Sequence, residues 1–307
     1  MGERYLEVNG TRLFLDLRGD PASPPLLYLH GGPGASCHAF MTAQGDRLAE
    51  RLHVVGLDQR GVLRSDALAG GDVLTEDLLV DDCEAVRAEL GISRWTVLGH
   101  SFGGRVALRY ALRHPDRVAA VFFENPLWDF DETERLRLPA AAAIFDELGD
   151  PAAAARCREL AARPERISGW RETTALIGRL QEHDRYDDLY FAGPVARARW
   201  GEIESAPFPE ELLARSRAHG EQALDGCLES LLPKLAGLAV PADLIVGGRD
   251  LVCGPQQTDA FRTGVRNGRV HEFPQAGHFV VAEEPERYAD LVISATDGGR
   301  RRFTKSL

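Results

Sequence analysis

A serine flanked by glycines lies between a predicted strand and a predicted helix. The pentapeptide Gly99-His100-Ser101-Phe102-Gly103 follows the apolar run 95–98 and precedes residues 104–112, where apolar side chains recur at helical spacing. Glycines two positions before and two after the serine leave room for an abrupt turn from strand to helix. This G-x-S-x-G pattern in its strand–turn–helix context is typical of a nucleophile elbow. The alternative is a serine in a glycine-rich turn without catalytic role.

Predicted strands and helices alternate up to residue 123, after a hairpin signal at Asn9-Gly10. Alternation of this kind indicates a mostly parallel sheet with helices on both faces, an α/β fold. Strands resume at 243–247 and 270–273, before a final helix over about 279–295.

Between these two strand series the pattern changes. Strand-like runs vanish, and four helical windows replace them: 139–148, 152–162, 168–180 and 210–217. Because both flanks belong to one strand series, we interpret 1–125 and 241–307 as a core and 126–240 as an inserted, all-helical cap. A second independent domain is the alternative.

Two further polar residues follow strands in the order that a catalytic triad requires. A serine nucleophile needs a base, and the base needs an orienting acid. Asp250 comes after the strand 243–247, and His278 comes after the strand 270–273. Both positions lie at the carboxyl edge of the sheet, where catalytic groups gather in open α/β folds. Singly, Asp250 is a turn former and His278 a capping or core histidine; together with Ser101 they favour a triad.

The chemistry of acyl transfer assigns a role to each residue. Ser101 attacks a carbonyl carbon, His278 takes the serine proton, and Asp250 orients the imidazole. The resulting oxyanion needs preorganised N–H donors. We expect these from the amide of Phe102 and from Gly32, in the loop that follows the strand 26–29.

Five segments together resemble the α/β-hydrolase superfamily. They are the elbow 99–103 and the segments His30-Gly31-Gly32-Pro33-Gly34, Asp58-Gln59-Arg60-Gly61, Gly248-Arg249-Asp250 and Gly277-His278. The first two of these additional segments are similar to the proline iminopeptidase-like branch, although related esterases and lactonases share the same glycine loop. The resemblance covers the core from 30 to 279 and leaves the cap outside. It implies an α/β-hydrolase fold and catalysis through an acyl-enzyme.

The chain departs from that family pattern at three positions. Leu63 stands where the pattern D-x-R-G-x-G-x-S has its second glycine. The elbow carries His100 and Phe102, where the aminopeptidases usually have a small residue and a tryptophan or tyrosine.

Candidate substrate-binding residues rest on the resemblance alone. Aminopeptidases of this type hold the substrate's free amine with cap glutamates, and Glu182, Glu202 and Glu204 are available. Glu124, at the end of the strand 118–123, is a further candidate, both for substrate and as an alternative triad acid. Trp128 either lines the pocket or packs inside the protein. For each of the acids, a solvated surface position is the alternative.

Composition excludes several classes of partner. A formal charge of −11 argues against nucleic acid and favours neutral or cationic substrates. Five scattered cysteines show no disulfide or zinc-ligand spacing, so we expect no metal site. Hydrolysis by a serine also needs no cofactor, and we expect none. The chain shows neither a signal-peptide pattern nor an apolar run of about 20 residues, which predicts a cytoplasmic protein without a membrane partner. The sequence is compatible with a homo-oligomer and does not decide the oligomeric state.

These observations favour a serine hydrolase that cleaves an ester, lactone or amide bond of a small, amine-bearing substrate through an acyl-enzyme. A proline iminopeptidase is the main alternative. An acyltransferase would use the same serine but exclude water. A non-catalytic binding protein is less favoured, because the chain keeps every triad and oxyanion residue.

We expect Ser101→Ala to abolish hydrolysis and to leave the fold intact, because the substitution removes one hydroxyl oxygen from a turn. Turnover of p-nitrophenyl esters and circular dichroism measure the two effects. A variant with near-wild-type turnover and an unchanged spectrum contradicts the assignment of the nucleophile.

Overall fold

The computed structural model describes residues 2–69, 73–167, 169–206 and 208–303, with side chains up to 296. The chain begins with the antiparallel hairpin of β1 (Glu3–Val8) and β2 (Thr11–Arg18). Asn9 and Gly10 both have positive φ angles, as a tight hairpin turn requires. The predicted hairpin is confirmed.

Eight strands form one sheet in the order β1-β2-β4-β3-β5-β6-β7-β8. β2 also pairs antiparallel with β4, and every later pairing is parallel. The mostly parallel sheet is therefore confirmed. The remaining strands are β3 (Pro25–Leu29), β4 (His53–Asp58), β5 (Trp95–His100), β6 (Val118–Glu124), β7 (Ala242–Gly247) and β8 (Gly268–Phe273).

Helices cover both faces of this sheet. Among the described residues they are α1 (His38–Phe40), α2 (Asp46–Ala49), α3 (Glu76–Glu89), α4 (Phe102–Arg113), α5 (Phe130–Glu147), α6 (Pro151–Ala161), α7 (Trp170–Gly178), α8 (Pro194–Glu204), α9 (Glu210–Gly226), α10 (Pro255–Gly264), α11 (Val280–Glu283) and α12 (Pro285–Phe303). A π-helical turn, Met41–Gly45, joins α1 to α2.

Alternate residues of the central strands pack into two separate apolar clusters, one on each face of the sheet. Val97 of β5 packs in the same cluster as Val106 of α4, whereas the next residue, Leu98, packs with Tyr288 of α12. This alternation follows from the two-residue period of a strand. The sheet is thereby buried on both faces, which leaves its edge of carboxyl ends as the place where polar groups can gather.

Every regular element described between β6 and β7 is helical, and α5 to α7 contribute most of a third apolar cluster. The helix α5 begins nine residues before the predicted window, capped by the Asp129 side chain, and Pro139 lies inside it. The sequence did not predict α8. Of the window 168–180, residue 168 lies outside the described residues. The boundaries 126 and 240 of the cap stay a prediction.

A buried arginine joins α4, the helix that follows Ser101, to the helical block, by which we mean the helices between β6 and β7, α5 to α9. The Arg105 side chain, on α4, is fully buried and forms an ion pair with Glu76 of α3. Its remaining N–H groups donate to the carbonyl oxygens of Leu127, Trp128 and Glu229. Arg105 therefore holds together the two ends of the chain segment between β6 and β7.

We expect Arg105→Ala to lower the free energy of unfolding by about 3–5 kcal/mol. The substitution removes one of the two arginines that pair with Glu76, the other being Arg109, and leaves the buried carbonyl oxygens at both ends of the segment between β6 and β7 without their donor. Arg113→Ala is the matched control on the same helix. Its side chain is 42% exposed and pairs with Asp77 and Asp81 at the surface, so the expected loss is below about 1 kcal/mol. Urea unfolding of both variants measures the difference, and equal losses contradict the role of Arg105.

Candidate active site

Ser101 lies at the tip of the turn between β5 and α4, with φ 52° and ψ −117°. This backbone conformation is rare for a residue with a side chain and is typical of functional sites. A Cβ on Gly103 would lie 2.1 Å from the Leu29 carbonyl oxygen, and a Cβ on Gly99 would lie 2.4 Å from the Gly103 carbonyl oxygen. The two glycines of the elbow are therefore required by close backbone contact.

Asp250 and His278 are in direct contact. The His278 Nδ1 lies 2.9 Å from the Asp250 Oδ1, and both side chains are buried. The Asp250 carboxylate also accepts the backbone N–H groups of Val252 at 3.0 Å and Cys253 at 2.7 Å. The carboxylate is thus fixed in place, and as an acceptor it selects the His278 tautomer with hydrogen on Nδ1.

Three groups hold the His278 loop from different parts of the chain. The Asn125 side chain donates to the carbonyl oxygens of Gly277 and His278, at 3.0 and 2.8 Å, and accepts the Gly247 N–H at 2.9 Å. The His278 N–H donates to the carbonyl oxygen of Tyr190, in the helical block. Asn125 therefore connects the ends of β6 and β7 to the histidine loop.

His100 is the third group. Its Nε2 lies 3.1 Å from the His278 carbonyl oxygen, and the two imidazole centroids are 4.6 Å apart. Burial and the neighbouring His278 ring hold the pKa of His100 well below its usual value. A neutral His100 can donate to that carbonyl without placing a second positive charge beside His278.

The loop after β3 lies against Ser101. A Cβ on Gly31 would lie 2.9 Å from the Ser101 Cβ, and Gly32 has a φ of 109° that favours glycine. His30 braces this loop: its Nε2 accepts the Gln59 N–H at 3.1 Å, and its Nδ1 lies 3.1 Å from the Gly31 carbonyl oxygen. Phe102 is the first residue of α4, so its N–H has no partner within the helix.

Ser101 and His278 line one cavity of about 380 Å³ between the core and the helical block. Gly31 and Gly32 line the same cavity, whereas Asp250 lies behind His278. The remaining walls are largely aromatic and come from both parts of the chain: Tyr28, Phe40, Tyr186, Tyr190, Phe191, Trp200, Phe208 and Phe279.

Glu204 is the one expected substrate-binding residue that lines this cavity. It is the last residue of α8, and part of its surface is exposed to solvent. Removal of water by the surrounding protein raises the pKa of its carboxyl, and neighbouring Trp200 opposes that rise only in part. Asp187 contributes a second carboxylate to the lining.

Trp128, Glu202 and Glu182 lie elsewhere, which corrects the expectation that they contact substrate. Trp128 is fully buried, and its ring stacks on that of Phe261 with the ring centroids 5.9 Å apart. Glu202 is exposed on α8 and lies outside the cavity lining, as does Glu182.

Glu124 lies beneath the histidine loop and not in the cavity lining. Its carboxyl accepts the Val281 N–H and the Tyr288 hydroxyl, both at 3.0 Å, whereas Asp250 takes the position next to His278. Complete burial raises the pKa of Glu124 to about 8, although both hydrogen bonds oppose the rise. Glu124 supports the helix that follows His278.

Several site residues carried no sequence signal. The aromatic lining residues are spread from 28 to 279 and share no motif. Asn125 offered a weak one, since asparagine tolerates the positive φ of 41° that it adopts directly after β6.

Two general properties of the described residues complete the description. They contain no group of three or more His, Cys, Asp or Glu side chains arranged to hold a metal ion. No helix among them is both long and apolar enough to cross a membrane.

Comparison with known proteins agrees with this architecture. A family model described as alpha/beta hydrolase fold matches residues 24–285. The proline iminopeptidase of Xylella fastidiosa strain 9a5c is 41% identical over 306 residues, covering 93% of this chain and 92% of that protein.

Two solved structures share the fold at lower identity. A proline iminopeptidase-related protein of Thermus thermophilus superposes with a TM-score of 0.70 at 24% identity, covering 96% of this chain and 97% of that one. The enol-lactonase of Burkholderia xenovorans superposes with a TM-score of 0.69 at 20% identity, covering 95% and 98%.

The chain therefore belongs to the α/β-hydrolase fold family, as a proline iminopeptidase-like member. The fold predicted from the sequence is confirmed. The proteins that it resembles are hydrolytic enzymes by name, and this chain is an enzyme of the same fold.

The raised pKa of Glu124 has a consequence for stability. The folded protein keeps this carboxyl protonated up to about pH 8, whereas the unfolded chain ionises it near pH 4.5. The stabilisation is therefore complete below about pH 4.5 and is lost as the pH rises towards 8. Glu124→Gln stays neutral and keeps an acceptor for Val281.

We expect the free energy of unfolding of the wild type, minus that of Glu124→Gln, to fall by on the order of 4 kcal/mol from pH 4.5 to pH 8. Urea unfolding at several pH values measures this difference, from which other titrating groups cancel. A difference independent of pH contradicts the assignment.

Proposed function

We propose that this protein is a serine hydrolase that cleaves the acyl bond of a small, amine-bearing substrate through an acyl-enzyme intermediate. The observation that carries the proposal is the 2.9 Å contact between Asp250 and His278, with His278 facing the cavity that Ser101 also lines. A serine, a buried acid–histidine pair and a glycine loop packed on the serine are the parts that acyl transfer requires.

In the first half-reaction the Ser101 Oγ attacks the carbonyl carbon while the His278 Nε2 takes the hydroxyl proton. Asp250 accepts from Nδ1–H throughout, which stabilises the imidazolium. The tetrahedral intermediate then collapses: the bond to the leaving amine or alcohol breaks, and the leaving group receives the proton from His278. Ser101 is left as an ester of the acyl group.

In the second half-reaction water replaces the leaving group. His278 takes a proton from water, the resulting hydroxide attacks the ester carbonyl, and Ser101 departs with the proton that His278 returns. In both steps the amides of Phe102 and Gly32 donate to the oxyanion. A donor of this kind is worth about 10²–10³ in turnover.

The cavity supports a substrate with a small apolar body and a cationic end. Its aromatic walls favour an apolar group, while Glu204 and Asp187 place two carboxylates on the lining. A protonated amine beside these carboxylates gains a charge-assisted hydrogen bond. The N-terminal proline of a peptide has both properties, and the Xylella relative carries the name proline iminopeptidase.

Hydrolysis of an ester or lactone is the second candidate. The aromatic lining of the cavity supports it, because an apolar surface accepts the uncharged acyl group of an ester or lactone as readily as a prolyl ring. The two candidates differ in what Glu204 contributes. An amine-bearing substrate needs its carboxylate, and an uncharged one does not.

The matched substrates for this test are the p-nitroanilides and p-nitrophenyl esters of proline and of cyclopentanecarboxylic acid, which has a similar ring without the amine. We expect the wild type to prefer the prolyl compounds in kcat/KM. Glu204→Gln should lower kcat/KM for the prolyl compounds by roughly tenfold and leave the cyclopentane compounds nearly unchanged, because only a cation gains from the carboxylate.

Glu202→Gln is the matched control, since this residue lies on the same helix outside the cavity lining. We expect it to behave as the wild type with every substrate. Equal kcat/KM for prolyl and cyclopentane compounds, unaffected by Glu204→Gln, contradicts recognition of the amine and favours a plain esterase.

A further inference from the structure

Leu63 adopts a backbone conformation that leucine rarely takes. Its φ is 42°, in the left-handed region, and its side chain is buried. For a bulky residue this conformation is strained, and strain of this kind persists only where the surroundings impose it. The same position is a glycine in the family pattern that the loop 58–65 otherwise follows.

The surroundings of Leu63 fix its backbone on both sides. The Leu63 N–H donates to the Ser216 Oγ of α9 at 3.1 Å. The next residue, Arg64, pairs with Asp58 at 2.8 Å, and the Ser65 N–H closes a turn onto the Val62 carbonyl oxygen at 2.9 Å. The conformation is therefore set by the loop and by the helical block together, and a glycine would adopt it without strain.

Leu63 lines the active-site cavity, the same 380 Å³ space as Ser101 and Gly31. Ser216 places it next to the glycine loop, because its hydroxyl accepts the Leu63 N–H while its carbonyl oxygen lies against Gly34, 2.3 Å from where a Cβ would stand. A strained leucine thus lines the cavity where the helical block meets the glycine loop.

We propose that Leu63 is a specificity-determining residue whose side chain limits the bulk of the substrate beside the scissile carbonyl. This inference rests on the proposed function, since it concerns the cavity in which Ser101 acts. The side chain fills space that a glycine would leave open to substrate.

Two variants and one control test the inference. Leu63→Gly and Leu63→Ala both remove the wall, and only the glycine also removes the strain. Leu68→Ala is the control: Leu68 belongs to the same loop, packs against Gly61 and lies outside the cavity lining.

The substrates are two series of p-nitrophenol- and naphthol-based esters, one with acyl groups from acetyl to hexanoyl, the other with a fixed acetyl group and a growing alcohol. In both Leu63 variants we expect kcat/KM for the bulkiest substrate, relative to the smallest, to rise by about tenfold or more in at least one series. The control should keep the wild-type ratio. The inference is overturned if both Leu63 variants keep the wild-type ratio of kcat/KM, bulkiest to smallest substrate, in both series.

Thermal unfolding tests the strain. Leu63→Gly should melt higher than Leu63→Ala, by roughly 2 °C, because alanine retains the left-handed conformation that glycine adopts freely. An alanine variant that melts as high as the glycine variant overturns the argument from strain.

The hydrolysis measurements, together with labelling by an alkyl fluorophosphonate, separate this inference from the proposed function. A wild type that hydrolyses no substrate and whose Ser101 does not react with an alkyl fluorophosphonate contradicts the proposed function, and the role of Leu63 with it. A reactive wild type with unchanged selectivity in the variants contradicts the role of Leu63 alone.

Discussion

Helix α4 approaches the end of strand β3 so closely that a Cβ on Gly103 would lie 2.1 Å from the Leu29 carbonyl oxygen. This contact lets the chain turn from β5 into α4 at Ser101, in a backbone conformation that few residues adopt. The same contact brings the glycine loop after β3 against the serine. Ser101 and the glycine loop therefore owe their positions to one contact, and a larger residue at 103 would separate them.

The other half of the site depends on hydrogen bonds between strand ends. Asp250 and His278 follow neighbouring strands, β7 and β8, and their loops are joined through the Asn125 side chain after β6. A neutral His100 and the Tyr190 carbonyl oxygen add a contact from each side. Because Tyr190 belongs to the helical block, that block contributes to the position of His278 as well as to the walls of the cavity.

The sequence predicted the parts of this structure that arise from local patterns. The Asn9-Gly10 turn, the glycines around Ser101 and the positions of Asp250 and His278 after strands each reflect a backbone constraint that short segments carry. Other parts depend on contacts between distant segments, which one sequence does not reveal. They are the aromatic walls of the cavity, the hydrogen bonds of the Asn125 side chain and the location of α8. Glu124 and Trp128 are instructive: both lie at or just after the end of β6, yet packing turns them into the interior.

Ser101 is the residue that carries the acyl group in the proposed mechanism. The most direct measurement is peptide mass spectrometry of the enzyme after an acid quench during turnover of a slowly deacylating p-nitrophenyl ester. We predict one acyl group per chain, located on the peptide that contains Ser101, and no such adduct in His278→Ala. An acyl group on another residue would contradict this mechanism. So would a wild type that releases p-nitrophenol in a kinetic burst and carries no acyl group after the quench.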